Sequence, residues 1–201
     1  MSLENTEIRD SRIKSLLELA ASLGATDAKV VLTKDIVIDD RLPDICKQTA
    51  CEGYGRSKSC PPHVAGPSIF REWIKTIEQA IVVKIDVPME ILLSEREDIM
   101  RLLHEIVASI ELAAKQLGYA NSKAFAGGSC KQLFCSAYAD CRVVAERGDC
   151  RNPDLARPSM SGFGVNVGEL INTAGWAEDA KKSGAHERTS TGTVSGLILI
   201  G

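Results

Sequence analysis

Residues 80–87 read AIVVKIDV, an almost unbroken apolar and β-branched run. Such a run suits a strand buried on both faces at the centre of a sheet. Pro88 follows it and helps to end it. Upstream, Ile69, Trp73 and Ile77 recur at helical spacing and Ser68 stands in an N-cap position, which predicts a helix over 69–79. Downstream, Ile99, Leu102, Leu103, Ile106, Val107, Ile110, Ala113, Ala114 and Leu117 mark the buried stripe of a helix over 95–117. Ser94 with Glu97 fits a capping box, and Gly118 is a stop signal. At 1.5 Å per residue that helix would run about 35 Å, enough to cross a sheet. His104 falls off the stripe and reads as a surface residue.

Further out, Ile13, Leu16, Leu17, Ala20 and Leu23 predict a helix over 11–23, closed by Gly24. Lys29–Thr33 and Ile36–Ile38 read as short strands or the arms of a small hairpin, 122–126 as another strand, and 192–200 (GTVSGLILI) as a last strand inserted in the sheet. A short helical piece over Asp154–Met160, weakened by Pro158, and a helix over Gly168–Ala174 complete the reading. The expected fold is therefore α/β or α+β: a layered sandwich with a central sheet, flanking helices and cysteine-rich metal-binding loops over 40–67 and 127–164. Residues 1–201 read as one domain.

The composition is that of a globular protein: 201 residues, 44% apolar and 25% charged. Twenty-four basic against 27 acidic residues give a formal charge of −3, which argues against a broad nucleic-acid surface. The N-terminal MSLENTEIRD lacks the apolar run of a secretory signal, and no window approaches the ~20 apolar residues of a membrane span. A cytoplasmic protein, with no membrane and no nucleic acid among its partners, is the expectation.

A chain this long can bury a core unaided, so its size does not account for seven cysteines. Seven cannot all pair as intramolecular disulfides, and clustered thiols in a reducing compartment point to metal or redox chemistry. They form two groups with none between Cys60 and Cys130. The later group, Cys130-x4-Cys135-x5-Cys141-x8-Cys150, can surround one zinc ion or one [4Fe-4S] cluster. Its spacings are wider than zinc knuckles and differ from the ferredoxin run, so spacing leaves the metal open, with iron–sulfur preferred.

The earlier group is Cys46-x4-Cys51-x8-Cys60-Pro61-Pro62-His63. Three thiolates can hold a [4Fe-4S] cluster with one iron open to another ligand, and three thiolates with His63 can bind zinc. Alternatively, one of these cysteines completes a site begun in the later segment. Gly127, Gly128 and the small Ser129 before Cys130 could bring backbone N–H groups to a cluster, or form an ordinary turn. Arg142, Arg147, Arg151 and Arg157 add positive charge that could offset thiolates or simply be solvated. Gly53-Tyr54-Gly55 and Arg56-Ser57-Lys58-Ser59 match no phosphate-binding fingerprint; they read as a solvated basic turn, with an anion held by Arg56, Lys58 and backbone donors as the alternative. His186 lies in a polar stretch with no evident partner.

The segments CEGYGRSKSCPPHV (51–64), GGSC (127–130) and CRNPDLARPSM (150–160) resemble the predicted metal-binding proteins of the domain of unknown function numbered 2284. That resemblance spans most of the chain. It implies a small cytoplasmic metalloprotein with iron–sulfur sites and supplies no reaction. It carries over to Cys51, Cys60, Cys130 and Cys150. It carries over less directly to Cys135 and Cys141, because Leu133 stands where the family's close cysteine run continues. The Arg157-Pro158-Ser159-Met160 match reads as a structural turn beside a cluster.

The expected ligands are thus Cys46, Cys51, Cys60, Cys130, Cys135, Cys141 and Cys150, with His63 as a further metal ligand. The leading expectation is an iron–sulfur protein with one or two [4Fe-4S] clusters, acting in electron transfer or as a redox accessory with a redox protein partner. One alternative is an enzyme whose ligand-accessible cluster takes a small molecule, with no catalytic residue assignable. The other is a structural zinc protein that presents an interaction surface.

Overall fold

The computed structural model describes residues 3–177 and 191–201, without side-chain detail before residue 10. His186 lies outside the described residues. The elements run α1 (Leu3–Ser22), β1 (Asp27–Leu32), α2 (Leu42–Gln48), α3 (Gly66–Ile74), β2 (Gln79–Pro88), α4 (Met89–Ser94) and α5 (Arg96–Gln116). Then follow β3 (Lys123–Phe125), α6 (Cys130–Cys135), α7 (Arg142–Ala145), α8 (Val167–Thr173) and β4 (Thr191–Ile200). The class is α+β: one sheet of order β1-β2-β4-β3 in which every pairing is antiparallel.

The AIVVKIDV run is central, flanked by β1 and β4, and it is apolar but for the paired Lys84 and Asp86 because both faces are covered. Ile81, Val83 and Ile85 face one core with Val194, Ile198 and Ile200, closed by Leu103, Ile106, Val107 and Ile110 of α5 and by Leu16 and Ala20 of α1. Ala80, Val82, Leu197 and Leu199 face a second core with Phe70, Phe163 and Leu170. In that second core Phe125 stacks edge-on with Phe70 and Phe163, at centroid distances of 5.4 and 5.1 Å. Gly196 lets α5 lie close on the sheet, since a Cβ there would come 2.5 Å from Val107 Cγ1.

Several expectations are corrected. Ile36–Ile38 forms no hairpin arm: a 3-10 turn follows β1, and Ile38 makes only an isolated bridge to Val165. Ser94 and Ser68 cap nothing: Ser94 Oγ donates back to Glu90 O, Glu95 holds the N-cap of α5 without a side-chain bond, and α3 begins before Ser68 with Pro67 in its first turn. Proline's preset φ replaced the hydroxyl as the starting signal there. Residues 154–160 are not helical, because Ser159 instead makes a parallel bridge to Ala126. The cysteine segments are not all loop: Cys46 lies on α2, while Cys130 and Cys135 bound α6.

Backbone bonds hold the two cysteine segments together. Ala126 N donates to Pro158 O, Met160 N to Ala126 O, and Ser159 N to Ser59 O, at 3.0, 3.2 and 2.9 Å. The end of β3 is thereby stitched to residues 59 and 158–160. Among the described residues no helix is long and apolar enough to cross a membrane.

Candidate metal centre

The seven thiols are all free and wall two neighbouring cavities. Cys46, Cys51 and Cys60 line one of about 400 Å³. Cys130, Cys135, Cys141 and Cys150 line one of about 20 Å³, roughly the room of a single water. Helix α6 is the partition. Its Gln132 and Leu133 face the three-thiol cavity, while Cys130, Lys131, Phe134 and Cys135 face the four-thiol cavity. Among the described residues no three His, Cys, Asp or Glu side chains close on a single metal-ion position.

The four-thiol cavity is rich in donors. Asn152 gives its backbone N–H to Cys150 Sγ at 3.4 Å and its Nδ2 to Cys135 Sγ at 3.3 Å. Burial works against ionisation of Cys141, yet the backbone N–H groups of Lys58, Val144 and Val143, with Arg151, outweigh it and lower its pKa. Burial raises Cys130, offset in part by the hydroxyls of Ser59 and Ser57. Lys131, only 5% exposed, aims its ammonium at the carbonyls of Cys135 and Tyr138, 2.8 and 2.6 Å away. That ion pins the turn after α6 and sets a buried positive charge beside four thiols.

In the three-thiol cavity, burial raises the pKa of Cys60, and the nearby Ser57 and Ser129 hydroxyls partly oppose it. Burial also raises Cys46, reinforced by Cys51 and Cys60. Ser57 Oγ and Ser129 Oγ are buried, and neither closes a hydrogen bond of ordinary geometry. Ser57 neighbours both Cys60 and Cys130 and so sits between the two sites. Gly53 is required by close approach, since a Cβ there would lie 2.9 Å from Ser129 Cβ and 3.2 Å from Cys60 Sγ.

His63 is not brought to either set of thiols: it is exposed, its Nε2 is 3.2 Å from Gly55 O, and it lines neither cavity. His104 is the larger correction, because it is fully buried. Its Nδ1 accepts from Arg157 N at 3.1 Å, which leaves Nε2–H to donate to Gly127 O, also at 3.1 Å. Burial lowers its pKa to about 4, so the ring is neutral at pH 7. One imidazole thus ties Gly127, just before the later cysteines, to Arg157, just after them. Arg157 Nε also donates to Glu111 of α5 at 2.6 Å, and its Nη1 bonds the carbonyls of Pro153 and Ala156. Gly127 and Gly128 pack on Met100, where a Cβ would come within 3.4–3.5 Å of that side chain. The 127–157 segment is therefore clamped to α5.

Sequence reading missed Lys131, Asn152 and Ser57, and took Ser129 only for its small size. Only their closeness to Cys130, Cys150 and Cys60 in the chain hinted at them. Ser57 and Ser129 meet thiols from the other cysteine segment, and Asn152 reaches Cys135 from 17 residues away, relations that one-dimensional spacing does not carry. Of the four arginines, Arg142 spends its Nε on Asp149 O at 2.7 Å, and Arg151 stacks on Tyr138 with its guanidinium carbon 4.2 Å from the ring centre.

The donor set fits a thiophilic metal group. Four free thiols enclose one space, N–H groups point at their sulfurs, and buried hydroxyls adjoin them without other partners. No curated protein and no solved structure matches the chain. The family described as predicted metal-binding protein (DUF2284) matches residues 29–200, and the chain belongs to that family.

Proposed function

We propose that this metal-binding protein is an iron–sulfur protein acting in electron transfer or as a redox accessory, with Cys130, Cys135, Cys141 and Cys150 as the ligands of a cluster. The observation that carries the proposal is the set of donors aimed at sulfur, in particular Asn152 toward both Cys150 and Cys135. Hydrogen bonds to sulfur, burial and nearby charge are the levers by which a protein sets a cluster's reduction potential. A bound cluster would supply one-electron redox chemistry. The chain's own part is to hold the thiolates and bias them electrostatically. Lys131 and Arg151 supply positive charge, and His104 and Arg157 keep both ends of the segment fixed on α5.

A single zinc ion is the second reading. Tetrahedral zinc with Zn–S of about 2.3 Å needs sulfurs about 3.8 Å apart. The space of about 20 Å³ is the observation on the side of zinc, and the four sulfurs must part to admit a cluster. A redox protein partner would approach over Tyr138, which is 51% exposed and stacked by Arg151.

The test is anaerobic metal and sulfide quantification of fresh protein, with the visible spectrum of the same sample. Iron matched by acid-labile sulfide, with a broad band near about 400 nm, is the expected result. Stoichiometric zinc without sulfide or colour overturns the proposal.

A further inference from the structure

The three-thiol cavity differs from its neighbour in what it lacks and in how much room it has. Among the described residues, Cys46, Cys51 and Cys60 are the only Cys or His side chains on its wall. His63 points elsewhere, onto Gly55 O. Of the two carboxylates present, Glu52 accepts from Gln132 Nε2 at 2.5 Å, and Glu97 stands exposed in the first turn of α5. Ser129 Oγ, on a residue only 5% exposed, lines the same wall beside Cys60 and closes no hydrogen bond of ordinary geometry. Arg96, at the start of α5, lines the cavity with no ion-pair or hydrogen-bond partner among the described residues. A volume of about 400 Å³ is that of a small-molecule site.

We infer that this cavity is a second iron–sulfur site whose three thiolates leave one coordination position open to an exogenous small carboxylate, oriented by Arg96. The inference rests on the iron–sulfur reading of the chain. A cube bound by three cysteines has one iron without a protein thiolate. Among the oxygens on the wall, the Glu52 carboxylate is engaged by Gln132, and the Glu97 carboxylate stands out toward solvent beside Arg96. The free guanidinium matches a carboxylate in charge and shape. Glu97 beside it works against a highly charged anion, so the preferred ligand is small. The Ser129 hydroxyl, beside Cys60, is placed to donate to a cluster sulfur or to the ligand.

The test uses the full chain, reconstituted anaerobically, in three forms: the parent, C46S/C51S and C135S/C141S. Cys46 is half-buried and Cys51 exposed, so the first pair of substitutions leaves the fold standing, as far-ultraviolet circular dichroism will report. The parent is expected to hold about eight irons, and each double variant about four. Cyanide, as a small Lewis base, and lactate, as a small carboxylate, should change the electron paramagnetic resonance of the reduced parent and of C135S/C141S, and leave that of C46S/C51S unchanged. Arg96→Ala should weaken the lactate response about tenfold or more and spare the cyanide response.

If C46S/C51S keeps all the iron of the parent, the second site is overturned while the four-thiol proposal stands. If it loses iron but neither probe perturbs the parent, the protein closes the fourth position and the open site is overturned. A lactate response unaffected by Arg96→Ala overturns the carboxylate assignment. Zinc without sulfide in all three forms overturns the iron–sulfur reading itself.

Discussion

The two sides of helix α6 present thiols in opposite ways. On one side four sulfurs crowd a space of about 20 Å³, supplied with donors from Asn152 and the backbone. On the other, three sulfurs border about 400 Å³ and share it with arginine, carboxylates and an unpartnered hydroxyl. The first arrangement spends its polar groups on the sulfurs and leaves little space for anything else. The second leaves polar groups and volume over. A site built to hold and tune a cofactor needs the former, and a site built to admit a ligand needs the latter.

The contrast breaks most visibly on metal removal. A ligand bound at a thousand times its Kd stabilises the folded state by about 4 kcal/mol, which for a chain of this length is roughly 8–16 °C in Tm. Cys130→Ser, at a buried position on the inner side of the partition, should forfeit most of that. Cys51→Ser, at an exposed position, should forfeit far less. Calorimetry of both loaded variants checks this, and equal losses would erase the distinction between the sites.

Next in size is the clamp at the two ends of the four-cysteine segment. His104→Ala leaves Arg157 N and Gly127 O without their partner and opens a hole, at about 3 kcal/mol. Urea unfolding should show that cost, and faster alkylation of Cys130 and Cys150 than of Cys51 should accompany it. The same residue sets a pH response. It ionises at about 4 when folded, against 6.5 for an unperturbed imidazole, so the unfolded chain binds the proton first. Its contribution is therefore complete above pH 6.5 and is lost as pH falls toward 4, by up to about 3 kcal/mol. His104→Gln should flatten that part of the stability profile.

Gly53→Ala addresses the other side. Its new methyl meets Ser129 and Cys60 at 2.9 and 3.2 Å, which should cost about 1–2 kcal/mol by overpacking. Metal bound by the three-thiol cavity should drop, as metal counts in a C135S/C141S background would report, while that of the four-thiol cavity holds in a C46S/C51S background. The smallest effect is expected at Ser57, between the sites. Removing a buried, unpartnered hydroxyl should stabilise the metal-free chain slightly, by up to about 1 kcal/mol. If that hydroxyl serves loaded thiolates on both sides, Ser57→Ala should still speed metal loss to a chelator from both sites.

The strands over 80–87 and 192–200, the long helix over 95–117 and the division of the cysteines at 60 and 130 were legible in the sequence. Each rests on local periodicity, a stop signal or simple clustering, which a linear chain displays. Antiparallel pairing was not legible, because the continuous apolar run of β2 reports only that both faces are covered. Nor was the inward turn of His104, whose polar partners, Gly127 O and Arg157 N, come from segments far along the chain. Helical spacing placed it off the stripe, but burial of a polar ring is decided by whether partners arrive to satisfy it.

The sequence by itself determined that this chain carries thiol chemistry in two groups on a sheet-and-helix frame, since residue identity and spacing set the donor types and the local elements. Only the tertiary structure decided that α6 separates those groups, that Ser57 lies between them, and that His63 stands apart while His104 holds the scaffold. Those relations are distances between segments, and the free energy that fixes them is packing on α5 and the sheet rather than anything local to a motif.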